Sequence, residues 1–577
     1  MRRSSKEDDT ADEAASSPLN VPPSDQLPLD DVISKLGLGV WTLMYFALAT
    51  LIPMSMLVNL LVAEFTAAEV EFECDVRPAL QSVSSSSPDT RTSEATTADA
   101  FLQDHAHSHA SLSKECYNIT STNMSAPSYT PCTSFIYSNE TFSSTITTEF
   151  DLVCSREWQR SLFQMLFTLG CLCGAPVGGV LADKFGRQRA MWYGCVVMVV
   201  LTVLITAVPN LAIVFLSRFL LGFFTDIVFI ASITIGMEVC PSKYRHVFGT
   251  VESLPYAVML PLLAGIAFLC RDWRPVQLWA SLPLFIATCI ASPLVLDESP
   301  RWLVSQGRLK EAQAAVLRAG RINRSSEHLP PDLYDVLSKT HKEQLRQSSA
   351  DSSGSLKSHL MSLVETSEMR RLTLVLTVLW FFEGTLYISL PLSATTHKSP
   401  FLYLALLGLL EVPGTLVVTP LGGRYGRKKV GFMCAVLTAA IMLALAALKA
   451  VHFQVEWVVM ALAVFAYITL VGVSQMTLLL TAELFPTTVR SLGSSVGFFM
   501  NNLGYCVPPL MEMLLPEEQP ELMLLVYGVM SFVSACLLLA LPETNNLPLY
   551  ETVAQLVQAR RMRHSNKLSD HTDSIEP

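Results

Sequence analysis

The stretch Glu238-Val-Cys-Pro-Ser-Lys-Tyr-Arg245 returns later in the chain as Glu483-Leu-Phe-Pro-Thr-Thr-Val-Arg490, at an offset of 245 residues. The same offset separates Glu298, in an Asp-Glu-Ser-Pro-Arg sequence, from Glu543, in a Pro-Glu-Thr sequence. Two unrelated short patterns that repeat at one spacing indicate that the two parts of the chain have the same architecture.

The chain as a whole is strongly apolar. Of its 577 residues 51% are hydrophobic and 16% are charged, and the mean hydropathy is +0.40. Apolar runs of about 20 residues, the length that crosses a bilayer as a helix, recur along the sequence. We therefore predict an all-α membrane protein with twelve transmembrane helices. These spans, numbered one to twelve, are 39–63, 160–182, 190–209, 211–236, 247–270, 275–296, 372–392, 400–421, 430–450, 456–480, 490–515 and 521–541.

A third marker confirms the internal duplication, since Gly186-Arg187 recurs as Gly426-Arg427 at an offset of 240 residues. Parallel repeats in a membrane protein are related by a pseudo-two-fold axis along the membrane normal, with a binding site at mid-membrane between them. We predict two parallel six-helix halves, an N-terminal half over 39–296 and a C-terminal half over 372–541.

The distribution of basic residues predicts the topology, because Lys and Arg accumulate in short cytoplasmic loops. With the tail 1–38 inside, the basic clusters after spans two, four and eight and in the tail 542–577 all lie on the cytoplasmic side. No apolar segment with a cleavage site precedes span one, so we expect both termini in the cytoplasm. The segment 297–371 is then a cytoplasmic linker, and 64–159 is a large first extracellular loop.

The extracellular loop carries the marks of an oxidising, glycosylating compartment, which favours the plasma membrane. Its Asn-x-Ser/Thr sequons predict glycosylation at Asn118, Asn123 and Asn139. Its cysteines are Cys74, Cys116, Cys132 and Cys154. An even number predicts two disulfides, and the sequence leaves all three pairings open.

Other chemistries find little support in the sequence. The run Asp104-His-Ala-His-Ser-His109 alternates histidine with other residues in a Ser/Thr-rich loop, which is more typical of solvated polar sequence than of a metal site. We expect no metal and no cofactor. Since no nucleophile is paired with a base and no nucleotide motif is present, we expect no enzyme and a process driven by the membrane potential or a coupled ion.

The repeated markers lie at cytoplasmic ends of the spans, where a basic residue on one helix can meet an acidic residue or a helix C-terminus on its neighbour. We predict that they form a charge lattice that holds this face closed and breaks when the halves rock. The predicted gating residues are Asp183, Arg187, Glu238, Arg245, Glu298, Arg301, Arg427, Glu483, Arg490 and Glu543.

Several motifs resemble a known family. Gly179-x-Leu-x-Asp-Lys-x-Gly-Arg187 is similar to the loop between spans two and three of the major facilitator superfamily. Thr148–Cys154 (TEFDLVC), Asp297–Leu303 (DESPRWL) and Thr481–Pro486 (TAELFP) resemble the organic cation/organic anion/carnitine transporter family within it. The resemblance covers about residues 30–555 and implies a transporter of small organic ions. One departure is Gly423, which stands where the second-half loop motif usually has Asp and implies a lopsided charge lattice.

Ionisable residues inside spans are costly and are by default functional candidates. The acids are Asp226, Glu252, Glu383, Glu411 and, near the outer end of span eleven, Glu512. We expect no clearly intramembrane base to pair them, since Arg218 lies early in span four and Lys449 at the end of span nine. A cavity lined by unpaired acids should attract cations.

The resemblance refines this site. Cation transporters of the family carry Asp at the position of Asn502 and anion transporters carry Arg there, while Thr415 stands where anion transporters carry Lys. Asp226 falls where cation transporters tend to carry Lys. Because the anion-selective bases are missing, we favour organic cations or carnitine-like zwitterions, with aromatic side chains forming a cation–π wall. The predicted substrate-binding residues are Asp226, Glu252, Glu383, Tyr387, Glu411, Thr415 and Asn502.

Two alternatives stay open on the sequence. One is an organic anion transporter, because the usual cation-binding Asp is also missing. The other is a non-transporting receptor that keeps the transporter fold and binds a protein ligand through the large extracellular loop. The expected partners are a small organic ion, the lipid bilayer and a coupled ion, and no nucleic acid.

Overall fold

The computed structural model describes residues 28–74, 116–119, 129–241, 244–350, 361, 363–453, 455–486, 489–515, 520–545, 555–556 and 558. Of residues 245–254 it describes the backbone, so the side chains of Arg245 and Glu252 lie outside the described part. Asn123 also lies outside it.

The predicted all-α bundle is confirmed. In the N-terminal half, spans one to six are the helices Val40–Leu61, Trp158–Phe185, Arg187–Ala207, Leu211–Val239, Arg245–Cys270 and Trp273–Val295. In the C-terminal half, spans seven to ten are Ser367–Ser389, Pro400–Tyr425, Arg427–Ala450 and Glu456–Leu484. Span eleven is Arg490–Tyr505 followed by Val507–Leu514, and span twelve is Pro520–Ala540. Within the described residues, ten helices are long and apolar enough to cross a membrane, and Pro255–Cys270 of span five is a shorter apolar helix.

Span eleven is interrupted at Cys506, which sequence analysis did not predict. The second helix starts at Val507 and carries Pro508 and Pro509 in its first turn. Proline has no N–H to donate to the preceding turn, and its ring clashes with the carbonyl four residues earlier. The break therefore falls between Asn502, in the last turn of the first helix, and Glu512, near the end of the second helix.

The halves meet along spans five and eight and along spans two and eleven. Spans five and eight are in backbone contact, because a Cβ on Gly408 would lie 2.6 Å from Leu260 Cβ and 2.7 Å from the carbonyl oxygen of Ala257. Within the N-terminal half, a Cβ on Gly174 of span two would lie 2.3 Å from the carbonyl oxygen of Phe223 in span four. Because glycine has no side chain, the helix backbones approach each other closely at these positions.

The predicted linker is a small helical layer under the N-terminal half. Its helices are Pro300–Ser305, Leu309–Ile322 and Leu333–Ala350, and the N-terminal helix Pro28–Leu36 packs on it. Asn323 joins this layer to span one: its Oδ1 accepts from the backbone N–H of Trp41 at 2.8 Å, and its Nδ2 donates to the carbonyl of Leu36 at 3.2 Å. The N-terminus of span one, which lacks a capping side chain of its own, is thus capped by the linker.

The loop 64–159, predicted to be extracellular, contributes two short antiparallel ribbons outside the bundle. Phe72–Cys74 pairs with Phe135–Tyr137, and Tyr117–Ile119 pairs with Tyr129–Pro131. Of the three possible disulfide pairings, the structure has Cys74 with Cys132 and Cys116 with Cys154. Asn139 is exposed, and Asn118 lies on a ribbon strand. Glycosylation stays a prediction.

The loop is fixed to the N-terminal half. Glu149 accepts hydrogen bonds from Trp273 Nε1 at 2.8 Å and forms an ion pair with Arg274, both at the start of span six. Thr147 Oγ1 donates to the carbonyl of Ala68, beyond span one, at 3.0 Å. Any rocking of the halves therefore carries this part of the loop with the N-terminal half.

Candidate functional site

Asp226 and Asn502 meet at the interface between the halves. Asp226 lies in span four and is 2% exposed, and Asn502 lies in span eleven and is 7% exposed. Asn502 Nδ2 donates to Asp226 Oδ1 at 3.3 Å. The second oxygen, Oδ2, is buried and has no hydrogen-bond partner within the described residues. A buried carboxylate with a free lone-pair set can receive a donor or a cation from a ligand.

Glu383 lies on span seven, which touches span eleven near Asn502. A Cβ on Gly504 would lie 2.3 Å from the carbonyl oxygen of Phe381, so these two helices are in backbone contact. Glu383 is 3% exposed and accepts a hydrogen bond from Ser474 Oγ of span ten. The carboxylate is therefore held at the inner surface of the C-terminal half by a neutral hydroxyl.

Glu411 lies in span eight between two tyrosines. Tyr387 OH donates to one carboxylate oxygen and Tyr467 OH to the other, each at 3.3 Å. The two rings are 5.7 Å apart. Thr415, one helical turn after Glu411, is also buried. Glu411, Tyr387 and Thr415, three of the predicted substrate-binding residues, thus lie together, and Tyr467 joins them.

The three buried acids share one electrostatic property. Within the part of the chain that the structure describes, no Lys, Arg or His forms an ion pair with Asp226, Glu383 or Glu411. Their recorded partners are an amide and three hydroxyls. Ionised carboxylates in a low-dielectric interior are costly without a counter-charge, so this region favours a positive ligand.

Arg218, which the sequence places early in span four, is fully buried there and forms no ion pair with the buried acids among the described residues. Its Nη2 donates to the carbonyl oxygen of Asn59 at 2.5 Å, and its guanidinium lies 4.7 and 4.6 Å from the ring centres of Phe163 and Phe167. The sequence position near the helix start gave no sign of this burial, because the contacting residues belong to other helices. The described partners of the charge are a backbone carbonyl, the amide oxygen of Gln164 at 3.4 Å and two aromatic rings, with no acid.

Glu512 belongs to a different region. It lines a cavity of about 1510 Å³ beneath the extracellular loop, which we call the vestibule. Its ionisable lining residues are Glu64, Glu69, Glu71, Glu73, Glu140, Glu157, Arg160, His397, Lys449 and Glu512. Acids outnumber bases in this lining, and a cleft of one sign raises the local concentration of opposite charge.

Four of the predicted gating residues of the N-terminal half, Asp183, Arg187, Glu238 and Glu298, form one cluster around Arg187. Its Nη2 lies 2.8 Å from Asp183 Oδ1 and 3.0 Å from Glu238 Oε1. Glu298 Oε1 accepts from the backbone N–H groups of Arg187 and Gln188, at 2.9 and 3.3 Å, and so caps the N-terminus of span three. Gly186 has φ +102°, and a Cβ there would lie 2.3 Å from Glu298 Oε2, so the motif requires glycine.

The C-terminal half repeats this cluster with one substitution. Arg427 Nη2 lies 2.8 Å from Glu483 Oε1, and Glu543 Oε1 accepts from the backbone N–H of Arg427 at 3.0 Å. Gly423 stands at the position of Asp183, so the acid is missing here. Asn545 instead accepts a hydrogen bond from Arg427 Nη1 and donates one to the carbonyl of Gly423, both at 3.1 Å. The lattice is lopsided in charge, as predicted, and an amide takes the place of the missing carboxylate.

These described contacts join spans of the same half. Arg301 Nε donates to the carbonyl of Glu238 at 2.9 Å, and Arg490 Nε to that of Phe485 at 3.3 Å, again within one half. They brace the same end of each half, the end predicted to be cytoplasmic. A gating role for the set stays a prediction.

An aromatic contact joins the halves at the outer face. The ring of Phe401, at the start of span eight, lies 5.5 Å from Phe65 after span one, 5.7 Å from Phe142 of the loop and 5.6 Å from Phe268 of span five. We call these four rings the outer aromatic cluster. One ring of the C-terminal half is thus surrounded by three of the N-terminal half, one of them on the extracellular loop.

Sequence analysis missed Tyr467, Ser474, Asn545 and the buried state of Arg218. Tyr467 and Ser474 are seven residues apart on span ten and so lie on one face of that helix. Paired polar side chains at this spacing in an apolar run are a signal that could have singled them out.

Comparison with known proteins supports the same architecture. Residues 106–555 match the family described as Sugar (and other) transporter. Solute carrier family 22 member 6 of Rattus norvegicus is 31% identical over 433 residues, which is 75% of this chain and 76% of that protein. The organic cation transporter protein of Drosophila melanogaster is 28% identical over 423 residues, 73% of this chain and 76% of that one.

Among solved structures, the inward open xylose transporter XylE from E. coli is 14% identical, covers 88% of this chain and 98% of its own, and superposes with a TM-score of 0.56. At this identity the likeness concerns the fold.

Proposed function

Starting from a chain that belongs to the sugar (and other) transporter family, among relatives in solute carrier family 22, we propose that this membrane transporter carries small organic cations or zwitterions. The multi-pass architecture and the transporter relatives establish transport as the class of activity. We propose three further properties: the charge of the substrate, the residues that bind it and the location in the plasma membrane.

The observation that carries the proposal is the trio of buried acids. Asp226, Glu383 and Glu411 hydrogen-bond only to neutral groups among their recorded contacts. A positively charged substrate supplies the counter-charge that the described protein groups do not supply. An anion in the same place would add to an unfavourable charge.

The position of Asp226 suits alternating access. It lies on the N-terminal half and its hydrogen-bond partner lies on the C-terminal half. A cation bound to the free Asp226 oxygen is therefore handled by both halves, and their rocking exposes it to one side and then the other. The membrane potential or a coupled ion supplies the driving force.

Aromatic side chains support binding of an amine. Tyr387 and Tyr467 form a tilted pair beside Glu411. Phe498 and Phe499 of span eleven are more exposed, at 41% and 40%. The cation–π contribution thus falls to tyrosines that also hold an acid.

One observation favours a second candidate, an organic anion transporter. Arg218 is fully buried, and its Nε and Nη1 have no hydrogen-bond partner within the described residues. We place it second because two phenyl rings, a backbone carbonyl and an amide oxygen already contact the guanidinium.

The experiment that decides substrate charge is an uptake panel in cells that express the full-length chain. Radiolabelled choline, carnitine and benzoate represent a cation, a zwitterion and an anion, and mock-transfected cells give the background. We expect saturable uptake of choline, carnitine or both, and background uptake of benzoate. Saturable uptake of benzoate alone would replace this proposal with the anion transporter.

A further inference from the structure

Two basic side chains meet at the end of span twelve, on the side of the C-terminal half that is predicted to be cytoplasmic. Lys428, at the start of span nine, donates from Nζ to the carbonyl oxygen of Leu539 at 2.7 Å. Arg371, near the start of span seven, donates from Nη2 to the carbonyl oxygen of Ala540 at 3.5 Å. These carbonyls belong to consecutive residues, whose Cα atoms are about 3.8 Å apart, so the two positive charges are neighbours. We call Lys428 and Arg371 the basic pair.

The basic pair has no acidic partner among the described residues, since no Asp or Glu there forms an ion pair with Lys428 or Arg371. Glu543, just after span twelve, instead accepts from backbone N–H groups, one of them at the start of span nine. The carbonyl oxygens at a helix end carry about half a negative charge together, which offsets only part of two positive charges. Arg370 and Lys429, next to the pair in sequence, are exposed. This corner of the bundle therefore carries excess positive charge.

The N-terminal half neutralises the equivalent position. Leu294 corresponds to Leu539 at the 245-residue offset of the repeat, and its carbonyl oxygen also accepts from a base, Arg318 Nη2 at 3.3 Å. That base pairs with an acid, because Arg318 Nη1 lies 2.8 Å from Asp297 Oδ1. At the same offset from Asp297 the C-terminal half has Pro542, which carries no charge. The C-terminal half thus keeps a base on this carbonyl and lacks the acid that balances it.

Capping of the span does not by itself require the charge of Lys428. Gln188 is its counterpart in the N-terminal half, at the 240-residue offset, and is neutral. Its Nε2 donates to the carbonyl oxygens of Ser292 and Leu296 at 3.3 and 3.1 Å, at the end of span six. An amide is therefore enough to satisfy the last carbonyls of a span at this position. The charge of Lys428 is left for a partner outside the described protein residues.

The basic pair adjoins a surface of exposed apolar side chains. On span twelve these are Phe532 and Leu539, and on span nine Met433, exposed at 55%, 51% and 68%. The contact between the halves is formed by other spans, five with eight and two with eleven. The exposed surface of spans nine and twelve is therefore available to acyl chains, and the basic pair at the span ends lies at the level of the headgroups.

We propose that the basic pair binds the headgroup of an acidic phospholipid, such as phosphatidylserine, while the acyl chains lie along spans nine and twelve. Lys428 and Arg371 donate charge-assisted hydrogen bonds to the phosphate oxygens. Phosphatidylcholine has the same phosphate but carries its own cation, so its net attraction to the pair is weaker. The cytoplasmic leaflet is the one that carries acidic lipids, which agrees with the predicted topology. The bound lipid joins spans seven, nine and twelve, whatever the charge of the substrate.

The test measures lipid binding to the purified full-length protein in detergent by native mass spectrometry. Dioleoyl phosphatidylserine and dioleoyl phosphatidylcholine are titrated separately, and the ratio of their Kd values for the first bound lipid gives the preference. Since each base near the membrane surface changes affinity about fivefold, we expect a preference of about 25-fold in the parent, about fivefold in Lys428→Gln and about one in the double variant with Arg371→Gln. Lys339→Gln with Lys342→Gln, two exposed bases on the linker helix, should keep the parent preference.

Pro542→Asp tests the missing acid without removing a base. It places a carboxylate where Asp297 pairs with Arg318, so it should neutralise Lys428 and reduce the preference about fivefold. Lys428→Gln keeps a donor for the Leu539 carbonyl, so its thermal midpoint in detergent without added lipid should match the parent's.

Three results would overturn the proposal. The first is equal binding of the two lipids by the parent. The second is an unchanged preference in Lys428→Gln and in Pro542→Asp, which would mean that the basic pair only caps span twelve. The third is displacement of phosphatidylserine by an equal concentration of glycerophosphoserine, which has the same headgroup without acyl chains and would identify a soluble phosphate as the ligand.

Discussion

Asn502 donates a hydrogen bond to Asp226 across the interface between the halves, at 3.3 Å, and both side chains are buried. Each half contributes one residue, so relative movement of the halves must lengthen or break this contact. A substrate cation that binds the free oxygen of Asp226 competes with nothing on the described protein for it. The contact is therefore placed to sense both the substrate and the conformation.

Asp226→Asn should stabilise the protein. The change removes a buried, unpaired carboxylate oxygen and lets an amide meet Asn502, which we expect to be worth about 1–3 kcal/mol. The midpoint of thermal unfolding in detergent measures it. Asp335→Asn, at an exposed site on the linker helix, is the matched control and should leave the midpoint unchanged. A lower midpoint for Asp226→Asn would show that the carboxylate is well compensated.

Asn545→Ala should destabilise the cytoplasmic end of the C-terminal half, because it removes two hydrogen bonds around Arg427. These groups are partly exposed, so we expect a loss of about 1 kcal/mol and a lower midpoint of thermal unfolding. Adding Gly423→Asp should restore the midpoint, because an Asp at 423 can form an ion pair with Arg427. Asp183 and Arg187 form such a pair at the same spacing in the other half. A Cβ on Gly423 meets no atom within 4 Å. If the added Gly423→Asp does not restore the midpoint, Asn545 does not take the place of the missing acid.

Phe401→Ala should open the outer face more often, because it removes the ring that the N-terminal half surrounds. We expect faster modification of a cysteine introduced at Ser393, which lines the vestibule, by a membrane-impermeant thiol reagent in intact cells. The background rate of modification, from the native cysteines, is measured in Phe401→Ala without the introduced cysteine. Phe453→Ala removes an exposed ring outside the outer aromatic cluster and serves as the control. Equal modification rates in both variants would count against a gate at this cluster.

His397 predicts a loss of stability on mild acidification. It is 7% exposed between spans seven and eight, and burial lowers its pKa below the ordinary value although Glu456 lies 2.8 Å away. The unfolded chain therefore takes up a proton at a higher pH than the folded protein. Its contribution to stability is complete above the unfolded pKa of about 6.5 and declines as the pH falls below it.

The check compares thermal unfolding of the parent and His397→Asn between pH 7 and pH 5. The parent's midpoint should fall more steeply with acidification than the variant's. Parallel pH profiles would mean that folding does not lower the pKa of His397.

The sequence predicted the helix bundle because apolar spans and internal repeats can both be recognised from the order of the residues alone. Apolar length gives the helices, and the positions of Glu298 and Glu543 give the duplication. It also singled out both Glu411 and Tyr387, which the structure joins by a hydrogen bond, since both lie in apolar runs where polar residues are costly.

What the sequence could not supply were partners chosen by packing. The burial of Arg218 depends on Phe163 and Phe167 from another helix, and the compensation of Gly423 by Asn545 joins residues 122 positions apart. The disulfide pairing likewise needed the register of the ribbons, which brings Cys74 beside Cys132. Such relationships are three-dimensional and follow no period in the chain.

The most direct test of the account is choline counterflow by the purified parent, Asp226→Asn and Asp335→Asn in vesicles at equal pH. If Asp226 supplies the charge that the substrate meets between the halves, kcat/KM for choline should fall at least about tenfold in Asp226→Asn, the equivalent of one lost charge contact. It should stay at the parent value in Asp335→Asn. Equal choline counterflow by Asp226→Asn and the parent would contradict the account.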